Sequence, residues 1–370
     1  MEDVRILIVE DDKNKRDDYS RFIKAYNLDK KNCNIKEEFG IDKNEAIEKL
    51  KKLDNKYDGA IVDLDLEGSG GTDTSGNEVV TEIKENLRFP TFVITGTPHH
   101  LSKELNVPSA IFGVFERDDV DLDNVFDRFC EIKSTGILNL LNRNGRIEEL
   151  IQNIFWNHIS TSLDNWTQDS KRTSKEKEDS LLRYTILHML EYLDESKVHP
   201  SEFYITRPVK EKLSTGDLVL LEGVRYVVLT PACDFAYHNG KRKVEKVFLL
   251  KIKELNLVPA FQALKGKKNI DELSKSKKSD LSKLIRNGSK PFYHYIPKHN
   301  LIDAGLIDFQ DKYSLSIEEL EEKIGKDDEV RFATISMPFL KDLIERYSSY
   351  YARQGSPDFD SNEIINSLLS

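Results

Sequence analysis

Carboxylates gathered at a few fixed points are the first feature of this chain that could do chemistry. Glu10, Asp11 and Asp12 follow the apolar run Ile6-Leu7-Ile8-Val9, and Asp63 and Asp65 follow Gly59-Ala60-Ile61-Val62. Thr95 closes a third run, Phe92-Val93-Ile94, and Glu116 and Arg117 close a fourth, Gly113-Val114-Phe115. Carboxylates from two neighbouring runs make a hard-oxygen site suited to Mg2+. A carboxylate attacks a phosphoryl group only where nearby charge is neutralised, by a cation together with a hydroxyl and a fixed positive side chain. The plainer reading is that these acids cap helices, since Asp is favoured at such turns. Their coincidence at the ends of successive apolar runs argues for the site.

Elements that could position these residues alternate along the first 135 residues. Strands are expected at Arg5–Val9, Asn34–Phe39, Gly59–Leu64, Thr91–Thr95 and Ala110–Phe115. Amphipathic helices are expected at Lys13–Tyr26, Lys43–Leu53, Asn77–Asn86, Leu101–Asn106 and Asp121–Ile132. Strict alternation predicts a doubly wound α/β domain, whose functional residues collect beyond the carboxyl ends of its parallel strands. This stretch carries 20 Lys+Arg against 30 Asp+Glu, so it holds the whole net charge of −10. The remaining residues balance to zero and give no global basic footprint for nucleic acid.

The segments Ile6–Asp12, Tyr57–Asp65 and Phe92–Gly96 resemble the receiver domains of response regulators, with a flavodoxin-like five-stranded parallel sheet. The resemblance covers about a third of the chain. It implies Asp63 as phosphoacceptor, Glu10 and Asp11 as the metal-binding pair, and the backbone carbonyl of Asp65 as a further ligand to Mg2+. It also implies Thr95 as the switch hydroxyl and Arg117 in the place of the family's lysine. The chain departs from the family at Arg117, at Asp118 where a proline is usual, and in a long Gly-rich loop, Glu67–Ser75. Gly76 resembles the expected turn glycine. A cognate histidine kinase or phosphotransfer protein is the implied partner, and a homodimer the implied assembly. A pseudo-receiver scaffold is the alternative.

Residues 136–198 read as a helical linker or dimerisation region. Ile147, Leu150, Ile151, Ile154, Phe155 and Ile159 mark one apolar face, and Leu181, Leu182, Ile186, Met189, Leu190 and Leu193 another. A polar stretch, Gln168–Asp179, separates them, so a pair of antiparallel helices or a dimerising hairpin fits. Residues 199–370 read as an α+β output domain built on a small, strongly curved β-barrel. Its strands are expected at Asp217–Leu221, Arg225–Thr230 and Val244–Ile252, with turns at Glu222-Gly223 and His238-Asn239-Gly240. Extended segments at Leu301–Phe309 and Val330–Ser336, a helix at Ser316–Ile324 and a closing helix at Phe339–Tyr351 complete it.

This half faintly resembles the SH3-like barrels of toxin-type endoribonucleases, through Gly216–Val219, Arg225–Pro231 and Ile307–Phe309. That implies Arg225 as a basic catalytic residue, but no second hydroxyl falls into place beyond the bare presence of Thr230. Residues 260–298 carry ten Lys+Arg against three acids, which suits either a solvated loop or phosphate contacts. A binding or interaction output is therefore preferred, and an RNA- or DNA-processing enzyme is the alternative. Cys233-Asp234 with His238 lacks the second ligand pair a metal site needs, and reads as a buried hydrophobe beside a loop. Cys33, Cys130 and Cys233 form no CxxC and suggest no disulfide framework, which points to a reducing cytoplasm. No run reaches the ~18 apolar residues of a membrane span, and no leader is read at Met1–Arg5.

Overall fold

A computed structural model describes residues 2–29, 33–52, 57–66, 75–143, 145–193, 197–238, 241–353 and 358–369, with only the backbone of His238 and Lys241. The chain forms two compact units, Met1–Glu195 and Ser196–Ser370. Among the described residues, no helix is long and apolar enough to cross a membrane.

The first unit is a five-stranded sheet of β1 (Glu2–Val9), β2 (Cys33–Gly40), β3 (Gly59–Val62), β4 (Thr91–Thr95) and β5 (Phe112–Glu116), in the order β2-β1-β3-β4-β5. All four pairings are parallel. This fits the flavodoxin-like order of a doubly wound receiver sheet. Parallel strands covered on both faces have no polar side, and β3 and β4 accordingly bury every residue. Helices α1 (Lys13–Asp29), α2 (Lys43–Lys51), α3 (Ser75–Asn86) and α4 (Leu122–Ser134) connect or follow them. Phe126 and Phe129 of α4 are fully buried in the shared core.

Two expectations for this unit fail. The helix at Leu101–Asn106 is absent; only a 3-10 turn, Pro98–His100, stands between β4 and β5. Asn77 of α3 ties this stretch down as a loop instead. Its Nδ2 donates to His100 O at 3.0 Å, and its Oδ1 accepts from Ser102 N at 3.0 Å. The second failure concerns cysteine. Cys33 on β2 and Cys130 on α4 form a disulfide, with Cα atoms 5.8 Å apart, across 97 residues. Neither residue has a local motif, because the tertiary packing of α4 makes the pair. Most of the Gly-rich loop, residues 67–74, lies outside the described residues, as do Leu53 and the Asn239-Gly240 turn.

Two further helices, α5 (Ile137–Leu141) and α6 (Arg146–Ile154), follow. Past a π-helical turn, Phe155–Ile159, the chain doubles back as the helix Ser174–Glu191. Trp166 meets Tyr184, and His158 meets His188 and Tyr192, which makes the arrangement antiparallel. Thr173 and Glu176 form a capping box at the start of the second helix. That helix buries none of its residues. Leu182, Ile186 and Leu190, four residues apart, stay exposed.

The second unit is a seven-stranded sheet in the order β12-β13-β11-β8-β7-β14-β6. Its strands are β6 (Tyr204–Thr206), β7 (Asp217–Leu221), β8 (Val224–Val228), β11 (Lys246–Glu254), β12 (Tyr293–Ile296), β13 (Gly305–Ser316) and β14 (Arg331–Ile335); the short pair β9 (Tyr237–His238) and β10 (Lys241–Arg242) stands apart. Every pairing is antiparallel. Glu222 and Gly223 both adopt positive φ, 51° and 76°, as a two-residue hairpin turn between β7 and β8 requires. Register shifts at Leu250/Ile252 and Arg331/Ala333 curl the sheet. The expected small barrel is thus met as a curled antiparallel sheet. Alternate residues enter two separate cores: Leu218, Val227 and Leu250 pack with Leu340 and Leu343 of the helix Met337–Ala352, while Val219, Val228 and Leu249 pack with Ile317 and Leu320 of the helix Ile317–Lys326.

Candidate functional site

Backbone pairing carries the reactive residues to one edge of the first sheet. Asp63 N donates to Val9 O at 3.0 Å, one residue past the end of β3, and so seats Asp63 beside Glu10. Arg117 N donates to Thr95 O at 3.0 Å, one residue past β5. Each ladder thus runs one step beyond its strand, and that step bears the candidate side chain. Gly76 allows the first turn of α3 to lie against this edge, because a Cβ there would sit 2.3 Å from Asp63 O. The expected turn glycine is explained by that close approach.

Glu10, Asp11 and Asp63 each offer a carboxylate oxygen within 4.8 Å of the others. Glu10 and Asp63 are buried, at 1% and 3% exposure, and Asp11 is half-buried. Arg117 Nη2 donates to Asp63 Oδ2 at 2.6 Å and to Glu10 Oε2 at 3.1 Å. Lys15 Nζ lies 3.3 Å from Glu10 Oε1 and 3.6 Å from Asp63 Oδ2. Leu64 N donates to Asp63 Oδ1 at 2.8 Å and fixes the carboxylate plane. Arg16 Nη1 donates to the carbonyls of Glu10 and Asp11, at 2.8 and 2.6 Å, which holds the loop after β1 in place. Asp12 stands outside the group, its Oδ1 accepting from Asn14 N at 2.8 Å as α1 begins.

Charge at this edge is incompletely offset. Among the described residues, no cation lies within ion-pair distance of the Asp11 carboxylate. Burial pushes Glu10 up to about 7, with the negative charge of Asp63 adding to it, against the pull of Arg117 and Lys15. Arg117 is held more firmly protonated, since burial is outweighed by Asp63 and Glu10. An all-oxygen donor set with surplus negative charge fits a hard divalent cation, and the residues that would hold Mg2+ are Glu10, Asp11 and Asp63. The Asp65 carboxylate is not among these ligands, and its Oδ1 is buried with no hydrogen-bond partner among the described residues. Thr95 is fully buried at the end of β4, its Oγ1 accepting from Thr97 N at 3.2 Å.

Lys15 is the site residue that the sequence reasoning missed. It sits in the first turn of α1 without any motif, and only the direction of α1 off Asp12 brings it to the carboxylates. A cleft of about 630 Å³ adjoins the site, with Lys15, Tyr19, Phe22, Ile94 and Arg117 in its wall.

The residues singled out in the second unit do not assemble comparably. Arg225 donates through Nη1 to the carbonyl of Asp303. Thr230 Oγ1 accepts from Phe248 N at 2.7 Å and is buried. The hydroxyl therefore serves the ladder between β8 and β11. Cys233, expected to be buried, is exposed on a short helical turn, with Sγ 3.6 Å from Asp234 Oδ1. A one-turn helix at the surface offers no apolar layer to enclose it.

No protein-family model matches the sequence, and no curated protein matches it. Among solved structures the chain is similar to the N-terminal domain of a response regulator/sensory box/GGDEF 3-domain protein from Carboxydothermus hydrogenoformans, at 18% identity over 36% of this chain and 98% of that one, with a TM-score of 0.26. It is also similar to a response regulator receiver protein from Pseudoalteromonas atlantica, at 16% identity over 36% and 98%, with a TM-score of 0.27. A CheY-like response regulator receiver domain protein from Methanospirillum hungatei JF-1 matches at 16% identity over 36% and 98%, with a TM-score of 0.26. These similarities cover the N-terminal third of the chain. The likeness of residues 199–370 to toxin-type ribonucleases finds no support in them.

Proposed function

We propose that the first unit is a phospho-receiver in which Asp63 accepts a phosphoryl group from a histidine kinase, a phosphotransfer protein or a small phosphodonor. The observation that carries this reading is the grouping of Glu10, Asp11 and Asp63 within 4.8 Å, with Arg117 Nη2 2.6 Å from Asp63. In the step, an Asp63 oxygen forms a bond to phosphorus as the bond to the donor's leaving group breaks, and the leaving group departs with that electron pair. Arg117 and Lys15 offset the charge that the three phosphoryl oxygens bring. Thr95 supplies a hydroxyl at the next strand end. Mg2+, when bound, would lower the repulsion between carboxylate and phosphoryl oxygens, and the Asp65 carbonyl is assigned as a further ligand. The chain is then a response regulator in a two-component phosphorelay.

The exposed stripe Leu182-Ile186-Leu190 supports a homodimer through the helical hairpin. For the second unit, a binding output is favoured over nucleic-acid cleavage, because Arg225 and Thr230 are both committed to backbone partners. Action in the cytoplasm belongs to this reading, and the Cys33–Cys130 disulfide is the observation that opposes it. Intact-mass spectrometry after incubation with acetyl phosphate and Mg2+ tests the central assignment. One phosphoryl group should appear on the wild type and none on Asp63→Asn. Equal labelling of both proteins would sink it.

A further inference from the structure

Two unsatisfied surfaces occur within the second unit, and they are opposite in charge. The helix Ser361–Leu369 buries none of its residues, and Ile364, Ile365, Leu368 and Leu369 all stand exposed along it. Nine residues are too few to hold a helix in water without packing. Yet this one is specified: Asp360 Oδ1 accepts from Asn362 N at 2.9 Å and from Glu363 N at 3.2 Å. Residues 358–369 contain three acids, Asp358, Asp360 and Glu363, and no basic residue.

A cavity of about 680 Å³ lies among residues 261–286, and Leu264, Ile270 and Ile285 in its wall are exposed. Lys267, Lys268, Lys278 and Arg286 stand around it. Glu272 lies 3.9 Å from Lys267, and Asp271 lies 3.3 Å from Lys278. Among the described residues, Lys268 and Arg286 have no acid within ion-pair distance. The helix Met337–Ala352 delivers the tail to this neighbourhood. Arg353 at its end shares a second cavity with Asn287, the residue next to Arg286. Arg346 Nη1 also donates to Asn287 O at 3.0 Å. Five residues from Arg353 to Asp358 span up to ~17 Å, so the acidic end of the tail can reach Arg286.

We infer that residues 358–369 are an acidic amphipathic strap that docks in the basic-rimmed pocket of residues 261–286 of the same chain. Docking puts the apolar side of the strap over Leu264, Ile270 and Ile285 and brings its acids to the Lys268 and Arg286 rim. It also covers part of the lysine-rich stretch 260–298, ten Lys+Arg against three acids, so the strap excludes other anionic partners from that surface.

A labelled peptide of residues 358–370, followed by fluorescence anisotropy with full-length proteins, tests this. The chain carrying Ile364→Asp and Leu368→Asp has a disabled strap and should bind the peptide. Wild type should bind it at least tenfold more weakly, because its own strap competes at an effective concentration of roughly millimolar. Adding Lys268→Glu and Arg286→Glu to the strap variant should weaken peptide binding tenfold or more. All four positions are exposed, so the substitutions spare the core. Hydrogen exchange gives a second reading, in which amides of 361–369 are protected in wild type, independently of protein concentration, and lose protection in either double variant. No binding to the strap variant, equal binding to both chains, or binding indifferent to the charge reversal would overturn the inference. So would protection that grows with protein concentration, which would assign the dock to a second copy.

Discussion

Asp63 and Asp217 are both buried carboxylates facing an arginine, one in each unit, and they differ in what completes their surroundings. Asp217 is fully buried, and each of its oxygens is met. Oδ2 accepts from Ser214 N at 2.7 Å and lies 2.8 Å from Arg331 Nε, and Oδ1 accepts from Thr334 Oγ1 at 2.5 Å. One carboxylate has one arginine, and the register of β7 against β14 holds the two in place. Asp63 instead divides Arg117 and Lys15 with Glu10, while Asp11 stands close by without an ion partner among the described residues. A closed pair of this kind contributes to holding a fold. An open set with surplus negative charge has capacity left for a cation and a phosphoryl group.

The two units can first be told apart by their unfolding. The Cys33–Cys130 disulfide closes a loop of about a hundred residues in the first unit alone. In the chain-entropy account such a loop is worth roughly 4–5 kcal/mol. Calorimetry with reductant, or on Cys33→Ser with Cys130→Ser, should lower one transition by that order and leave the other in place. If both transitions shift together, the units do not unfold separately.

Asp217→Ala then probes the closed pair. It leaves the Arg331 charge buried without its partner and should cost the second unit about 3–5 kcal/mol in urea unfolding. Asp63→Asn, which removes one of three crowded charges, should leave the first unit no less stable. Similar losses in both variants would erase the contrast between the sites.

The open site was largely legible because each of its residues except Lys15 stands at the end of an apolar run, where sheet geometry fixes its neighbours. Glu10, Asp11 and Asp63 meet as that pattern implies. What the pattern could not carry were contacts made by packing alone. Lys15 depends on the axis of α1, and the Cys33–Cys130 pair depends on how α4 lies over the sheet. In the second unit, strand-like composition located β7, β8, β11, β14 and the first part of β13 but not β6 or β12, and its alternation is the same for a barrel wall and a sheet buried on both faces. The Asp217–Arg331 pair was invisible for a related reason: it joins β7 to a strand more than a hundred residues later.

Gly76→Ala should have a smaller effect. Its Cβ would press on Asp63 O, so α3 must shift, at about 1–3 kcal/mol. Slower phosphoryl uptake by the folded variant would tie that cost to the Asp63 edge. Wild-type stability and uptake would show that α3 yields freely.

The last effect is in pH. Glu10 is raised from 4.5 to about 7 by burial and by Asp63. The native state therefore holds a proton that the unfolded chain has released between those values. Without divalent cations, stability should be highest below about 4.5, fall as pH rises to 7, and level off above it, by roughly 3 kcal/mol. Glu10→Gln should flatten that slope in denaturant titrations from pH 5 to 8. An unchanged slope in the variant would remove Glu10 as its source.

The open charge at the strand ends is tested most directly by the thermal midpoint under Mg2+ titration, with wild type beside a Glu10→Gln/Asp11→Asn double variant. The wild-type midpoint for the first unit should climb with Mg2+ concentration, as binding to the native state alone requires. In the double variant it should stay flat, in a protein that remains folded. An equal rise in both proteins would contradict the assignment of these carboxylates as the cation site.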